Sequence, residues 1–356
     1  MSSTSLTKNP ESRKAIEALS EIDPELKEFL AKNPLPPRDY SNIPAMRAAR
    51  RITAAAALAS LGRAPASVLE TLQSISLPDG ATSEILLFQP KEPANSSPAP
   101  LVVLIHGGGF CLGSTSQMTG YGRALCSTYG AVVASIGYRL APEFKTPTQA
   151  DDIWEGTKYL LDHAEEWGAD PSKGFIVGGV SAGGNLTAVT VARSLKTPLK
   201  HKITGAWLAI PFLLDASVVP EEYKDLFFSR EQNKDAPVMG SDGVDAFINA
   251  WSPNWEDEKT SPFVAKDPFV KFPPTYFQVC GLDPLRDDGL IYEKVLRKAG
   301  SITRIDIYKG LPHNSWTALP MLNSSKVIVE DTIKGLGWLL GVEERKGDMG
   351  VKCSSA

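Results

Sequence analysis

The sequence predicts an α/β fold: a mostly parallel eight-stranded sheet with helices on both faces and a helical cap. Three observations predict it. Beyond about residue 66, short apolar strand patterns alternate with helical ones, the signature of parallel strands joined by crossover helices. Several of the strand patterns, Leu101-Val-Val-Leu-Ile105 first among them, lack polar alternation, as expected of strands covered on both faces. Finally, a connection of about 60 residues separates two of the strands, too long for a structureless loop in a compact domain.

The elements follow in chain order. Apolar Ile16, Leu19, Ile22, Leu26, Phe29 and Leu30 recur at roughly helical spacing and predict one amphipathic helix over 11–32. Pro34, Pro36 and Pro37 break it, and an alanine-rich helix is expected over 43–62. The first 65 residues thus read as helical, ahead of any strand. Strands are expected at 71–76, 84–89, 101–105, 131–137, 174–178, 205–210, 275–280 and 303–308. Helices fit between and after them at 117–129, 150–167, 182–195, 287–299 and 324–340. Residues 1–65 and the insertion 212–271 make up the expected cap, 66–211 with 272–345 the core, and 346–356 a flexible tail. Pro93–Pro100 reads as a surface hairpin between two strands.

Composition narrows the function. Hydrophobic residues make up 42% and charged residues 22%, and the net charge is -4. That balance carries no overall electrostatic footprint for nucleic acid or an anionic membrane. No apolar run is long enough to span a bilayer, and the polar N-terminus lacks a signal-peptide core. Cys111, Cys126, Cys280 and Cys353 show no C-x-x-C spacing, so free thiols of a reducing compartment are expected, with no metal site. The expected location is therefore cytoplasmic. The terminal Cys353-Ser-Ser-Ala fits a prenylation box poorly, because its middle positions are not aliphatic.

The strongest chemical signal is Gly179-Val-Ser-Ala-Gly183, after a predicted strand and before a predicted helix. A nucleophile on such a turn is held in a strained conformation, and side chains two residues to either side would collide. The next amide, that of Ala182, stands at a helix N-terminus, where negative charge is favoured. The second signal is His106-Gly-Gly-Gly109, directly after the strand 101–105. Successive glycines there are costly unless their amides approach a developing oxyanion. His106 itself reads as a structural group holding the loop.

A serine nucleophile needs a base, and the base an orienting acid. Of the four histidines, His163 lies in a predicted helix and His201 in a polar linker, and both read as solvated surface residues. His313 follows the last strand, where an open α/β sheet forms its site, and it lies beyond every candidate acid. Asp283 comes just after the strand 275–280, in Gly281-Leu-Asp-Pro-Leu-Arg-Asp-Asp288. Its rivals Asp287 and Asp288 read as carboxylates opening the next helix. Asp152 and Asp215 precede the right strand.

Taken together, His106-Gly-Gly-Gly109, Tyr138-Arg-Leu-Ala-Pro-Glu143, Gly179-Val-Ser-Ala-Gly183 and Asp283-Pro-Leu-Arg-Asp287 resemble the hormone-sensitive-lipase-like family of α/β-hydrolases. The resemblance runs over about 70–340. It implies carboxylesterase chemistry without metal or cofactor, with Ser181 as nucleophile, Asp283 as acid and His313 as base. It implies oxyanion donors at Gly108, Gly109 and Ala182, with Gly107 shaping the loop. Arg139 and Glu143 resemble a structural pair of the family, and Asp152 another structural position. Two departures stand out: Val180 replaces the acidic residue common before the nucleophile, and Asn314-Ser315-Trp316 replaces the usual Gly-Phe after the base.

The expected reaction is acyl transfer through an acyl-enzyme, on a small to medium hydrophobic ester. Phe110, Leu214, Phe227, Phe228, Trp251 and Trp316 are the candidate pocket walls, each equally readable as core. A small-molecule ester is the expected partner, with no nucleic acid, no membrane span and the option of a homodimer. The alternatives are an acyltransferase, a lactonase or a cyclase or lyase in the same pocket, and a non-catalytic small-molecule binder.

Overall fold

The computed structural model describes residues 5–36, 38–92, 98–264 and 271–342. The expected tail 346–356, with Cys353, lies outside the described residues, as does most of the expected hairpin at 93–100.

Eight strands form one sheet: β1 (Val68–Ser76), β2 (Thr82–Pro90), β3 (Leu101–Ile105), β4 (Val132–Ile136), β5 (Phe175–Val180), β6 (Gly205–Ala209), β7 (Thr275–Leu282) and β8 (Thr303–Pro312). Their order is β1-β2-β4-β3-β5-β6-β7-β8. β1 and β2 are antiparallel to their neighbours and the others run parallel. The apolar runs of the sequence are explained by this order. Leu101, Val103 and Ile105 of β3 enter one hydrophobic layer, Val102 and Leu104 the opposite one. A central strand buried on both faces has no solvent side for polar residues.

Helices α1 (Arg13–Glu17), α2 (Pro24–Lys32) and α3 (Ile43–Ser60) precede the sheet. Between and after its strands come α4 (Thr119–Tyr129), α5 (Thr148–His163), α6 (Ala182–Lys196), α7 (Ser229–Gln232), α8 (Ser241–Trp251), α9 (Arg286–Lys298), α10 (Ser315–Ala318) and α11 (Asn323–Leu339). No helix among the described residues is long and apolar enough to cross a membrane.

Two expectations for the N-terminal region are corrected. The single helix over 11–32 is broken. Pro24 cannot continue a helix from upstream. Asp23 instead caps α2, its carboxylate accepting from the amides of Glu25 and Leu26 at 2.9 and 3.1 Å. Nor is the region wholly helical. Leu6 exchanges two backbone hydrogen bonds with Ile307 of β8 (2.9 and 2.8 Å), extending the sheet by one bridge. That pairing covers an open strand edge, which no local pattern in the sequence announces.

The N-terminal segment and the insertion between β6 and β7 touch each other. The ring of Tyr40 stands edge-on to Phe247 of α8, with centroids 5.9 Å apart. Arg13 donates to the carbonyl of Asp225 at 2.6 Å and lies over the ring of Phe228. Cys111, Cys126 and Cys280 are buried free thiols.

Candidate active site

The strand β5 ends at Val180 and α6 begins at Ala182, leaving Ser181 alone on the turn. Its backbone is forced to φ 56°, ψ -115°, a region that costs a non-glycine residue about 1–3 kcal/mol. The turn is tight enough to exclude side chains on either side. A Cβ on Gly179 would fall 2.3 Å from the Gly183 carbonyl oxygen, and one on Gly183 would fall 2.2 Å from that of Ile105. The strain is held by neighbours: the Ser181 amide donates to Ala209 at 2.8 Å, and its carbonyl accepts from Asn185 and Phe212.

Parallel strands carry the other groups to the same edge. Asp283 follows β7 and His313 follows β8. Nε2 of His313 lies 3.0 Å from Oγ of Ser181, and Nδ1 lies 2.7 Å from Oδ2 of Asp283. The other carboxylate oxygen of Asp283 accepts from the amide of Leu285 at 2.8 Å. Asp283 is fully buried, and Ser181 and His313 are each only 6% exposed. A carboxylate fixed on one ring nitrogen and a hydroxyl on the other is the arrangement that activates a hydroxyl.

The glycine loop runs against this turn. A Cβ on Gly107 would lie 2.8 Å from the Val180 carbonyl oxygen and 3.4 Å from Cβ of Ser181. The amides of Gly108, Gly109 and Ala182 have no hydrogen-bond acceptor among the described residues. His106 serves the loop. It is buried, stacks on Tyr138 with ring centroids 4.3 Å apart, and its Nδ1 lies 2.9 Å from the Gly107 carbonyl oxygen. Burial lowers its pKa to about 4, so at neutral pH it is an uncharged donor to that carbonyl.

The expected pocket walls separate into groups. Phe110 and Trp251 stack face to face, centroids 3.7 Å apart, with Phe212 beside both. Leu214, Phe227 and Phe228 lie at the seam between insertion and core. The amides of Leu214 and Phe228 are taken up by Asp288 and Asp287, and Phe227 lies beneath Arg230. Trp316 packs into the hydrophobic layer on the other side of the sheet. A residue that the sequence did not single out also packs on the loop: a Cβ on Gly109 would meet Phe247 Cγ at 2.3 Å.

Asp287 and Asp288 do open α9, and their carboxylates also reach across to the insertion. Asp287 accepts from the amides of Phe228 and Ser229, Asp288 from those of Leu213 and Leu214. Burial raises Asp288 to about pKa 6, against the pull of Arg230. Asn233, also missed, donates from its side chain to the Asp283 carbonyl at 2.8 Å. Arg139 and Glu143 do not pair with each other: Arg139 holds Asp152 and Asp79, and Glu143 holds Arg47. His163 is half-buried rather than solvated, stacked between Tyr159 and Trp167.

A family model described as alpha/beta hydrolase fold matches residues 102–317. The chain belongs to the α/β-hydrolases. Within them it falls in the hormone-sensitive-lipase-like branch. This hydrolase is 34% identical to an AB hydrolase superfamily protein of Schizosaccharomyces pombe, over 93% of its own chain and 98% of that protein. It is 33% identical to the versiconal hemiacetal acetate esterase of Dothistroma septosporum, over 68% of its own chain and 74% of that enzyme. Among solved structures, that of a vibralactone cyclase superposes with a TM-score of 0.86 at 29% identity, covering 94% of this hydrolase and 98% of the cyclase. The chain is thus an esterase-like α/β-hydrolase.

Proposed function

We propose that this protein is a serine carboxylic-ester hydrolase, working through an acyl-enzyme on a small to medium hydrophobic ester. The observation that carries the reading is the unbroken contact from Ser181 Oγ through the His313 ring to Asp283. Ser181 attacks the ester carbonyl while His313 Nε2 takes its proton. Asp283 keeps the proton-bearing nitrogen of the ring on its own side and stabilises the imidazolium as it forms. The amides of Gly108, Gly109 and Ala182, without acceptors among the described residues, take the charge of the tetrahedral oxyanion. His313 then protonates the leaving alcohol, and water repeats the sequence on the acyl-enzyme. The cap in this reading is made of α1–α3 of the N-terminal segment with α7 and α8 of the insertion. Phe110, Trp251 and Phe247 supply apolar surface close to the loop, which favours a hydrophobic acyl or alcohol group.

A second reading has its own support. Ser181 is only 6% exposed, and the fold superposes on that of a vibralactone cyclase with a TM-score of 0.86. A site that keeps water out can pass its acyl group to an internal hydroxyl or enolate and close a lactone. One experiment separates the two. The protein is mixed with short-chain p-nitrophenyl esters and the acyl-enzyme is followed. Steady turnover in water supports hydrolysis. A stoichiometric burst with negligible turnover supports intramolecular transfer. No burst in a protein that also resists fluorophosphonate labelling at Ser181 sinks both.

A further inference from the structure

A cavity lies beside His106 and Gly113, the residues that bracket the glycine loop. Its volume is about 430 Å³, and its lining includes none of Ser181, Asp283 and His313. That is the size of a small-molecule pocket, and its walls are about half polar and half apolar. Thr82, Ser114 and Thr115 line it together with four arginines, Arg47, Arg50, Arg51 and Arg139.

Two of the four arginines are committed elsewhere. Arg47 is spent on Glu143 and on the carbonyls of Cys111 and Ala141. Arg139 is spent on Asp152 and Asp79. Arg50 and Arg51 have no carboxylate partner among the described residues. Arg50 is half-buried, and both its burial and the like charge of Arg38 lower its pKa. The one acid in the cavity lining is Glu84, itself exposed. His106 contributes no charge, since burial keeps it neutral. A partly desolvated guanidinium without a counter-ion is costly, and a bound anion would relieve that cost.

The cavity also touches the loop. With the Gln117 amide turned to satisfy both neighbours, its nitrogen donates to the Gly107 carbonyl at 3.2 Å and its oxygen accepts from Arg50 at 3.2 Å. The Gly107 carbonyl and the Gly108 N–H belong to one planar peptide unit. Arg50 is therefore two hydrogen bonds away from that peptide.

We propose that this cleft binds the carboxylate or phosphate group of a small soluble ligand, gripped by Arg50 and Arg51 beside the glycine loop. Planar guanidinium forks match both anions bidentately, and the cavity admits a metabolite-sized molecule. This site stands apart from the ester-cleaving reading and does not depend on it.

The test uses the full chain and calorimetric titration with inorganic phosphate and, separately, with succinate. Chloride holds the ionic strength constant throughout. Saturable binding of one or both anions is expected, and the arm that saturates identifies the group. Arg51→Gln should weaken that binding about tenfold, the loss of one charge-assisted contact. Glu84→Gln should tighten it several-fold, because it removes the opposing charge. Both residues are exposed, and circular dichroism checks that both variants fold. These opposite shifts belong to an anion site and not to a packing role. If neither anion saturates, or if the two substitutions fail to move the affinity in opposite directions, the proposal is wrong.

Discussion

Nε2 of His313 stands 3.0 Å from Oγ of Ser181, although 132 positions separate the two residues in sequence. If that contact is the working one, Ser181→Ala reduces ester turnover by about 10⁶-fold, the loss seen when a serine nucleophile is removed. The strain at this position gives a second, independent outcome. With φ at 56°, Ser181→Gly should be about 1 kcal/mol more stable than Ser181→Ala. Steady-state kinetics and thermal unfolding of the two variants check both statements.

Asp283→Asn keeps an oxygen for the Leu285 amide but can present an N–H to Nδ1 of His313. The ring then takes the wrong tautomer, and turnover should fall about 10⁴-fold with the fold intact. Undiminished turnover in this variant would move the acid role to another carboxylate.

Asp287 predicts a different phenotype. Its carboxylate accepts from the amides of Phe228 and Ser229 at 2.7 and 2.6 Å, and from fully buried Arg286 at 2.8 Å. Asp287→Ala strands that guanidinium and should cost about 3–5 kcal/mol. It also loosens the insertion where it meets the core, so KM should rise more than kcat falls. Urea unfolding gives the first quantity and substrate titration the second.

Two buried groups set opposing pH dependences. Asp288 has its pKa raised from 3.8 to about 6. Its contribution is fully present below pH 3.8 and is lost as pH rises through 6. His106 has its pKa lowered from 6.5 to about 4. Its contribution is present above pH 6.5 and is lost as pH falls through 4. Relative to wild type, Asp288→Asn should therefore gain stability from pH 4 to 6, by on the order of 3 kcal/mol. His106→Asn should lose stability relative to wild type over the same rise. Denaturant unfolding at a series of pH values in the three proteins reads both slopes.

Phe247 fills the space over Gly109. Phe247→Ala should cost about 3 kcal/mol of stability. It should also shift the kcat/KM ratio of long-chain over short-chain p-nitrophenyl esters upward by roughly tenfold, the scale set by apolar pocket fit. An unchanged ratio would place the acyl group elsewhere.

Much of the molecule was legible because its signals are local. Leu101-Val-Val-Leu-Ile105 has no polar residue because it lies inside the sheet, and it could be read as such. Gly179 and Gly183 are demanded by contacts with backbone only a few positions away or on the adjacent strand. His313 could be chosen from four histidines because it alone follows the last strand. The unread features depend on distant partners. Leu6 finds Ile307 three hundred positions away, Asp287 finds amides of the insertion, and Glu143 finds Arg47 rather than Arg139. Phe247 was one aromatic among several until α8 placed it on Gly109.

The sequence by itself determined the strand–helix alternation, the strained serine turn, the glycine loop, and the order of hydroxyl, carboxylate and imidazole along the chain. Each is written in spacing or in residue size, which act over a few positions. Tertiary structure decided which carboxylates tie the insertion to the core, which aromatic covers the loop, and where two arginines remain without a carboxylate among the described residues. Those outcomes depend on burial and on pairing between remote segments, and a side chain acquires its partner only when the sheet and the insertion close around it.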